Sequence, residues 1–268
     1  MKIGFLGCGN MGSAIARALM SGTAHKVSVY SKGESAAKFA RASEGKVVLC
    51  PSLNELIKQN EAVVIAVKPQ TLRTMWEELR KSGSAGTKWI SLAAGVNLRT
   101  LEEELGTADV VRFMPNIAAK TGSSVTAVAS APQCSKTFCT EAFEIAKSFG
   151  SAFELPEDKF SAFIGVSASA IAYIFRFAHA LGMGGQIEGL TYRQSVEMAF
   201  DTMKSAFDVY KTSDLNVQAL EESVCSKGGT TIEGIKVLRD NNFDIIVSRA
   251  VSAAAARSRE MENAEGSK

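Results

Sequence analysis

Histidine is almost absent from this chain of 268 residues, which has only His25 and His179. Its cysteines, Cys8, Cys50, Cys134, Cys139 and Cys225, are scattered and form no C-x-x-C. Without clustered imidazoles or thiolates there is little to build a zinc site from. An odd, scattered set of thiols fits a reducing compartment better than a disulfide framework. An excess of charge of one sign is also lacking: 30 Lys and Arg against 28 Asp and Glu leave a formal net charge of +2. Nothing in that balance marks a nucleic-acid or membrane surface. The longest uncharged stretch worth testing as a membrane span, Ser161 to Phe175, stops at Arg176 and is rich in Ser, Ala and Gly. It is too short for hydrocarbon and reads as a buried helix. There is no internal repeat, no low-complexity linker and no leader pattern, so the first strand is expected to open the mature chain. These absences predict a cytoplasmic protein with no metal and with neither nucleic acid nor membrane as partner.

What is present begins at once. The apolar run Lys2-Ile3-Gly4-Phe5-Leu6 breaks into Gly7-Cys8-Gly9-Asn10-Met11-Gly12, and a helical pattern follows with Ile15, Leu19 and Met20 on one face. This G-x-G-x-x-G sits between a strand and a helix, the context a dinucleotide-binding turn requires. Gly7 permits a tight turn off the strand, Gly9 lets backbone approach a pyrophosphate, and Gly12 lets the helix pack closely. Phosphates would then rest on unpaired N–H groups at the helix N-terminus.

The second strand pattern, Lys26 to Tyr30, ends in Ser31-Lys32-Gly33. An NAD-selective site places an Asp or Glu about here to hold the ribose 2′-hydroxyl, and none is present. Ser31 and Lys32 suit the 2′-phosphate of NADPH, with NADH as the second possibility and an ordinary polar turn as the competing reading. A helix over Ser35 to Ala42, a strand at Val47 to Leu49 and a helix from Ser52 follow. The continuous apolar run Ala62 to Val67 then has the pattern of a strand covered on both faces. It closes in Lys68-Pro69-Gln70, where Pro69 can begin a helix. Further strands are expected at Lys88 to Leu92, closed by Ala93-Ala94-Gly95, and at Asp109 to Met114, closed by Pro115-Asn116. Less regular strands follow near Val125 and Phe153, with a helix from Ser135 to Phe149 between them. Alternating strand and helix over residues 1–155 predicts an α/β, Rossmann-type doubly wound parallel sheet.

At Pro156 strand signals cease. Helices are expected over Lys159 to Met183, Thr191 to Thr212, Val217 to Val224, Thr231 to Asn241 and Phe243 to Met261, with a frayed polar tail from Glu262. Residues 156–268 thus read as an all-α second domain, and its long Ala-rich apolar helices point to a homo-oligomer. Between two of these helices lies Val224-Cys225-Ser226-Lys227-Gly228-Gly229-Thr230-Thr231. Its N–H groups can bind a carboxylate at a helix N-terminus, or its threonines can simply cap that helix.

Taken in order, G-C-G-N-M-G, Ala66-Val67-Lys68-Pro69-Gln70, Ala93-Ala94-Gly95, Arg112-Phe113-Met114-Pro115-Asn116 and Lys227-Gly228-Gly229-Thr230-Thr231 resemble the pyrroline-5-carboxylate reductase family. So does the tail, with Asn242-Phe243, Ala250-Val251 and Ala253 to Arg257. The glycine-threonine loop is the most specific part. The resemblance implies hydride transfer from NAD(P)H to the C=N carbon of 1-pyrroline-5-carboxylate, giving L-proline in the last step of proline biosynthesis. It also implies a helical dimerisation domain, a homodimer or larger ring, and an active site where dinucleotide and helical domains meet. By position, Gly7, Cys8, Gly9, Asn10, Met11, Gly12, Ser31, Lys32, Ala66, Val67, Lys68, Pro69, Ala93, Ala94, Gly95 and Asn116 would hold the cofactor. Asp214, Val224, Ser226, Gly228, Gly229, Thr230 and Thr231 would meet the substrate, the Gly229 and Thr230 N–H groups at its carboxylate and the Thr231 hydroxyl, the catalytic group, at its ring nitrogen. Such a reduction needs a positioned cofactor, a carboxylate clamp and a proton for nitrogen, so the scarcity of histidine is no obstacle.

The sequence departs from the family pattern in places. Lys227 replaces a usual proline, and Ile117-Ala118 a usual Thr-Pro. His179 and Met183 stand where acids are common, and His179 reads as a packed helix residue. Ser167 to Tyr173 lacks the usual glycines and proline, which predicts a more regular helix there. Two alternatives remain at this level: a reductase of a related cyclic imine, and a non-catalytic NADP-binding paralogue.

Overall fold

The computed structural model describes residues 1–22, 25–82 and 86–266. In the first part the chain forms β1 (Lys2–Leu6), α1 (Asn10–Gly22), β2 (Lys26–Tyr30), α2 (Ser35–Ala42), β3 (Val47–Leu49), α3 (Leu53–Gln59) and β4 (Ala62–Ile65). It continues with α4 (Pro69–Arg73), α5 (Trp76–Lys81), β5 (Lys88–Ser91), α6 (Leu98–Leu105) and β6 (Val110–Pro115). A 3-10 turn, Ile117–Thr121, then leads to β7 (Ser124–Ser130), α7 (Lys136–Lys147) and β8 (Gly150–Glu154).

The strands make one sheet in the order β3-β2-β1-β4-β5-β6-β7-β8. β1 to β6 run parallel to one another, β7 runs antiparallel to β6, and β8 is parallel to β7. β4 is buried at every position and β1 at all but its first, because helices cover both faces. Two apolar cores result. One contains Phe5, Ile15, Leu19 and Val64, and the other Leu6, Leu53, Ile65, Trp89 and Phe160. Successive β1 side chains therefore serve opposite cores, as the period of two dictates.

Beyond β8 come α8 (Phe160–Phe163), a π-helical turn (Ile164–Ala168), α9 (Ala170–Ile187), α10 (Tyr192–Thr212), α11 (Val217–Val224), α12 (Thr230–Asp240) and α13 (Phe243–Gly266). The chain divides into two compact units, residues 1–168 with 254–268, and residues 169–253. Strand signals end at Pro156, but the first helical turns after it and the last turns of α13 pack within the sheet-bearing unit.

Three expectations need correction. The segment predicted to be a more regular helix, Ser167 to Tyr173, is regular α9 from Ala170 onward, but its first two residues complete a π turn that begins at Ile164. Phe163 and Gly165 are buried and Ser167 Oγ accepts a hydrogen bond from Asn116 Nδ2 at 3.4 Å, so tertiary anchoring overrides local propensity. The expected buried helix is buried only at its start: Phe160 and Ser161 are covered, whereas Ile174 and Phe175 are 49% and 59% exposed. Within the described residues one helical stretch, Glu157–Ile187, is long and apolar enough to cross a membrane by length and composition. Finally, α13 continues past Met261 to Gly266, since Glu262 to Glu265 contain no helix breaker. Of the expected frayed tail, Ser267 and Lys268 lie outside the described residues.

Candidate active site

The register of the parallel strands levels their carboxyl ends. Leu6 pairs with Tyr30 on one side and Ile65 on the other, and Ile65 pairs with Ser91. Backbone bonds extend that alignment: Gly7 N–H donates to Tyr30 O at 2.8 Å, Ala66 N–H to Leu6 O at 2.8 Å and Leu92 N–H to Ile65 O at 2.9 Å. The segments starting at Gly7, Ser31, Ala66 and Ala93 consequently share one edge of the sheet. Between β1 and β4 the order reverses direction, the crevice where such sheets receive ligands.

Each glycine of the first turn has a separate reason. Gly7 has φ +99°, and a Cβ there would come 2.8 Å from Val67 Cγ1. At Gly12 a Cβ would stand 2.6 Å from Gly7 O and 2.7 Å from Ala66 Cβ, so α1 meets the ends of β1 and β4 without a side chain between them. A Cβ on Gly9 would meet nothing within 4 Å. That open space over bare backbone, at the start of a helix with unpaired N–H groups, fits a pyrophosphate. Cys8 is no competing nucleophile: burial pushes its thiol up to about 12. Pro69 occupies the first turn of α4 as expected, with Lys68 exposed at the cap. Ala93 is buried, Ala94 is exposed, and Gly95 turns the chain at φ +76°.

Two of these residues are already engaged. The Ser31 hydroxyl donates to Gly33 O at 2.7 Å and accepts from Ala36 N–H at 3.1 Å, so it holds its own turn. Asn116 is buried, and its Oδ1 accepts from Ala118 N–H at 3.1 Å and Val125 N–H at 3.3 Å. Its side chain caps the 3-10 turn, and its backbone is engaged as well, the N–H donating to Ser124 Oγ at 3.2 Å and the C=O accepting from Ala119 N–H at 3.2 Å. Lys32 keeps its ammonium at the surface, paired with Glu78 Oε2 at 2.8 Å.

A support that sequence reasoning missed lies beneath this edge. Arg112 is 2% exposed, its guanidinium stacks over Phe160 with the centroid 5.1 Å away, and Nη1 is ion-paired to Glu157 Oε1. The same carboxylate oxygen accepts the Leu98 N–H at 2.8 Å, at the first turn of α6 directly after the Ala93–Gly95 segment. Glu157 thus ties three segments together. Only the quoted R-F-M-P-N motif could have pointed to it, and it names one partner of the pair.

In the other unit, α12 begins at the glycine-threonine loop. Gly228 has φ +73°, and Gly229 is the N-cap. Thr230 and Thr231 are therefore the first helical residues, and neither caps the helix with its side chain. Gly229 N–H is spent on Ser226 O at 3.0 Å, which closes the turn. Of the two expected anion donors, Gly229 N–H is thus engaged in the turn, while Thr230 N–H, with that of Thr231, lies in the first helical turn. Thr230, Thr231, Ser226, Gly228, Val224 and Asp214 are exposed in this single chain.

Comparison with known proteins agrees along the whole length. Residues 157–261 match the family model described as pyrroline-5-carboxylate reductase dimerisation, and residues 2–95 one described as NADP oxidoreductase, coenzyme F420-dependent. A pyrroline-5-carboxylate reductase of Methanosarcina acetivorans is 32% identical over 268 residues, 97% of each chain. The chain belongs to the pyrroline-5-carboxylate reductase family. Solved family structures resemble it closely. That from Coxiella burnetii has a TM-score of 0.88 at 28% identity over 97% of each chain. That from Plasmodium falciparum, with NADP bound, has 0.84 at 27% identity over 98% of each.

Departures from the family pattern leave these local structures intact. Despite Lys227, the loop still makes its turn at Gly228. Ile117 sits exposed in the 3-10 turn, with Ala118 N–H capped by Asn116. His179 is half-buried with Nδ1 2.8 Å from Tyr192 Oη, the rings packed edge to face, so it joins α9 to the start of α10. Met183 is 51% exposed on the same helix.

Proposed function

We propose that this chain reduces 1-pyrroline-5-carboxylate to L-proline, the last step of proline biosynthesis, using NADPH with NADH as a second donor. The observation that carries this reading is the family relation over 97% of both chains. The residue chemistry supports it. Gly7, Cys8, Gly9, Asn10, Met11 and Gly12 present backbone and the α1 N-terminus to the pyrophosphate. Ser31 and Lys32 serve the ribose end, and Ala66, Val67, Lys68 and Pro69, Ala93, Ala94 and Gly95, and Asn116 lie along the rest.

When bound, the nicotinamide supplies a hydride to the C=N carbon. The chain positions the substrate: the α12 N–H groups of Thr230 and Thr231, backed by the loop of Val224, Ser226, Gly228 and Gly229, hold its carboxylate. The Thr231 hydroxyl hydrogen-bonds the ring nitrogen, which takes up a proton as the C=N bond is reduced. Asp214 provides a carboxylate near that pocket. Functionally the chain is divided into a dinucleotide domain, 1–155, and a helical domain, 156–268, a division supported by the start of the dimerisation match at residue 157. The protein works in the cytoplasm as a homodimer or larger ring, with neither nucleic acid nor membrane as partner. The apolar residues that α9 and α10 leave exposed support self-association.

The test is NADPH oxidation, followed by absorbance, on adding pyrroline-5-carboxylate to the purified full chain. Turnover is expected. NADPH binding without turnover would reject the assignment in favour of a nucleotide-binding paralogue.

A further inference from the structure

Glu78 belongs to α5, far in sequence from the end of β2, yet its Oε2 stands 2.8 Å from Lys32 Nζ. That hydrogen bond, together with the field of the carboxylate, raises the Lys32 ammonium above its ordinary value. The two side chains are 54% and 40% exposed, so the pair is open to exchange with a ligand. The sequence neighbours Glu34 and Glu77 are paired with Lys38 at 3.0 Å and Lys81 at 2.5 Å. The Ser31 hydroxyl is turned into its own loop. Lys32 is therefore the cation that a ribose 2′-phosphate would seek at the end of β2, and a carboxylate already holds it.

The consequence differs for the two cofactors. A 2′-phosphate is a dianion, and one ammonium cannot serve it and Glu78 together without like-charge repulsion. A 2′-hydroxyl is neutral and can donate to a carboxylate, the interaction that NAD-selective sites obtain from an acid ending the second strand. We propose that Glu78 sets the balance between NADPH and NADH, supplying from α5 the acid that β2 lacks and so restraining the preference for NADPH. This rests on the dinucleotide reading of the sheet-bearing unit.

The experiment is calorimetric titration of NADP+ and of NAD+ into the full-length protein, its Glu78→Gln and Glu78→Ala variants, and Lys32→Ala. All titrations are run at one low ionic strength, with circular dichroism to confirm folding. Removing the carboxylate should lower the Kd for NADP+ about two- to fivefold, the range of an exposed ion pair, and raise that for NAD+. Lys32→Ala should weaken NADP+ more than NAD+. If both Glu78 variants shift the two nucleotides by the same factor, or shift neither, the proposal is overturned while the dinucleotide site stands. If the wild-type protein binds neither nucleotide, the site itself is rejected and the proposal with it.

Discussion

Thr231 lies in the first turn of α12 and does not cap that helix with its side chain. Gly229 caps α12, and the turn is closed by Gly229 N–H on Ser226 O, so neither threonine is needed to start the helix. Thr231→Ala is accordingly expected to lower kcat about tenfold, the cost of one hydrogen bond to the reacting nitrogen, without moving the urea midpoint. An unchanged rate would remove Thr231 from the chemistry. The three glycines of the first turn show how much a motif can say at this scale. G-x-G-x-x-G indicated a nucleotide turn, but only the structure separates crowded Gly7 and Gly12 from open Gly9. Ser31 illustrates the opposite case: a hydroxyl at the right position in the sequence is engaged by its own backbone.

Element boundaries followed local pattern closely. β2 and α11 occupy the expected residues, and Ser52 caps α3 by accepting from Glu55 N–H at 3.2 Å. Besides the longer α13, the π turn at Ile164–Ala168 departs from that pattern, and it arises where contacts distant in sequence outweigh propensity. Such contacts also define the Arg112 site, where a buried guanidinium on β6 depends on a carboxylate supplied after β8. Glu157→Gln would leave that charge uncompensated and weaken the acceptor for Leu98 N–H. Because Glu157 is partly exposed, the expected loss of stability is about 2 kcal/mol, between the values for surface and buried pairs, measured by urea unfolding. A loss indistinguishable from zero would show that the pair does not fasten β6 to the segment that follows β8.

For the molecule as a whole, the decisive surface is the one a single chain leaves uncovered. Among the residues of α9 only Ala178 and Gly182 are buried, while Phe175, Leu181 and Ile187 are 59%, 43% and 80% exposed. So much apolar surface on long helices is stable in water when another copy covers it. Light scattering on the purified protein should give at least twice the mass of the 28.5 kDa chain, and a monomer at micromolar concentration would contradict the self-association reading. The sequence by itself determined the order of strands and helices, the nucleotide turn and the family. These depend on spacing along the chain, on period two against period 3.6, and on glycines at fixed intervals. Only the tertiary structure decided that Glu78 faces Lys32, that Glu157 answers Arg112, and that α9 is exposed rather than buried. Each of these brings together residues far apart in the chain, or concerns the surface left over after packing, and neither leaves a periodic trace in the sequence.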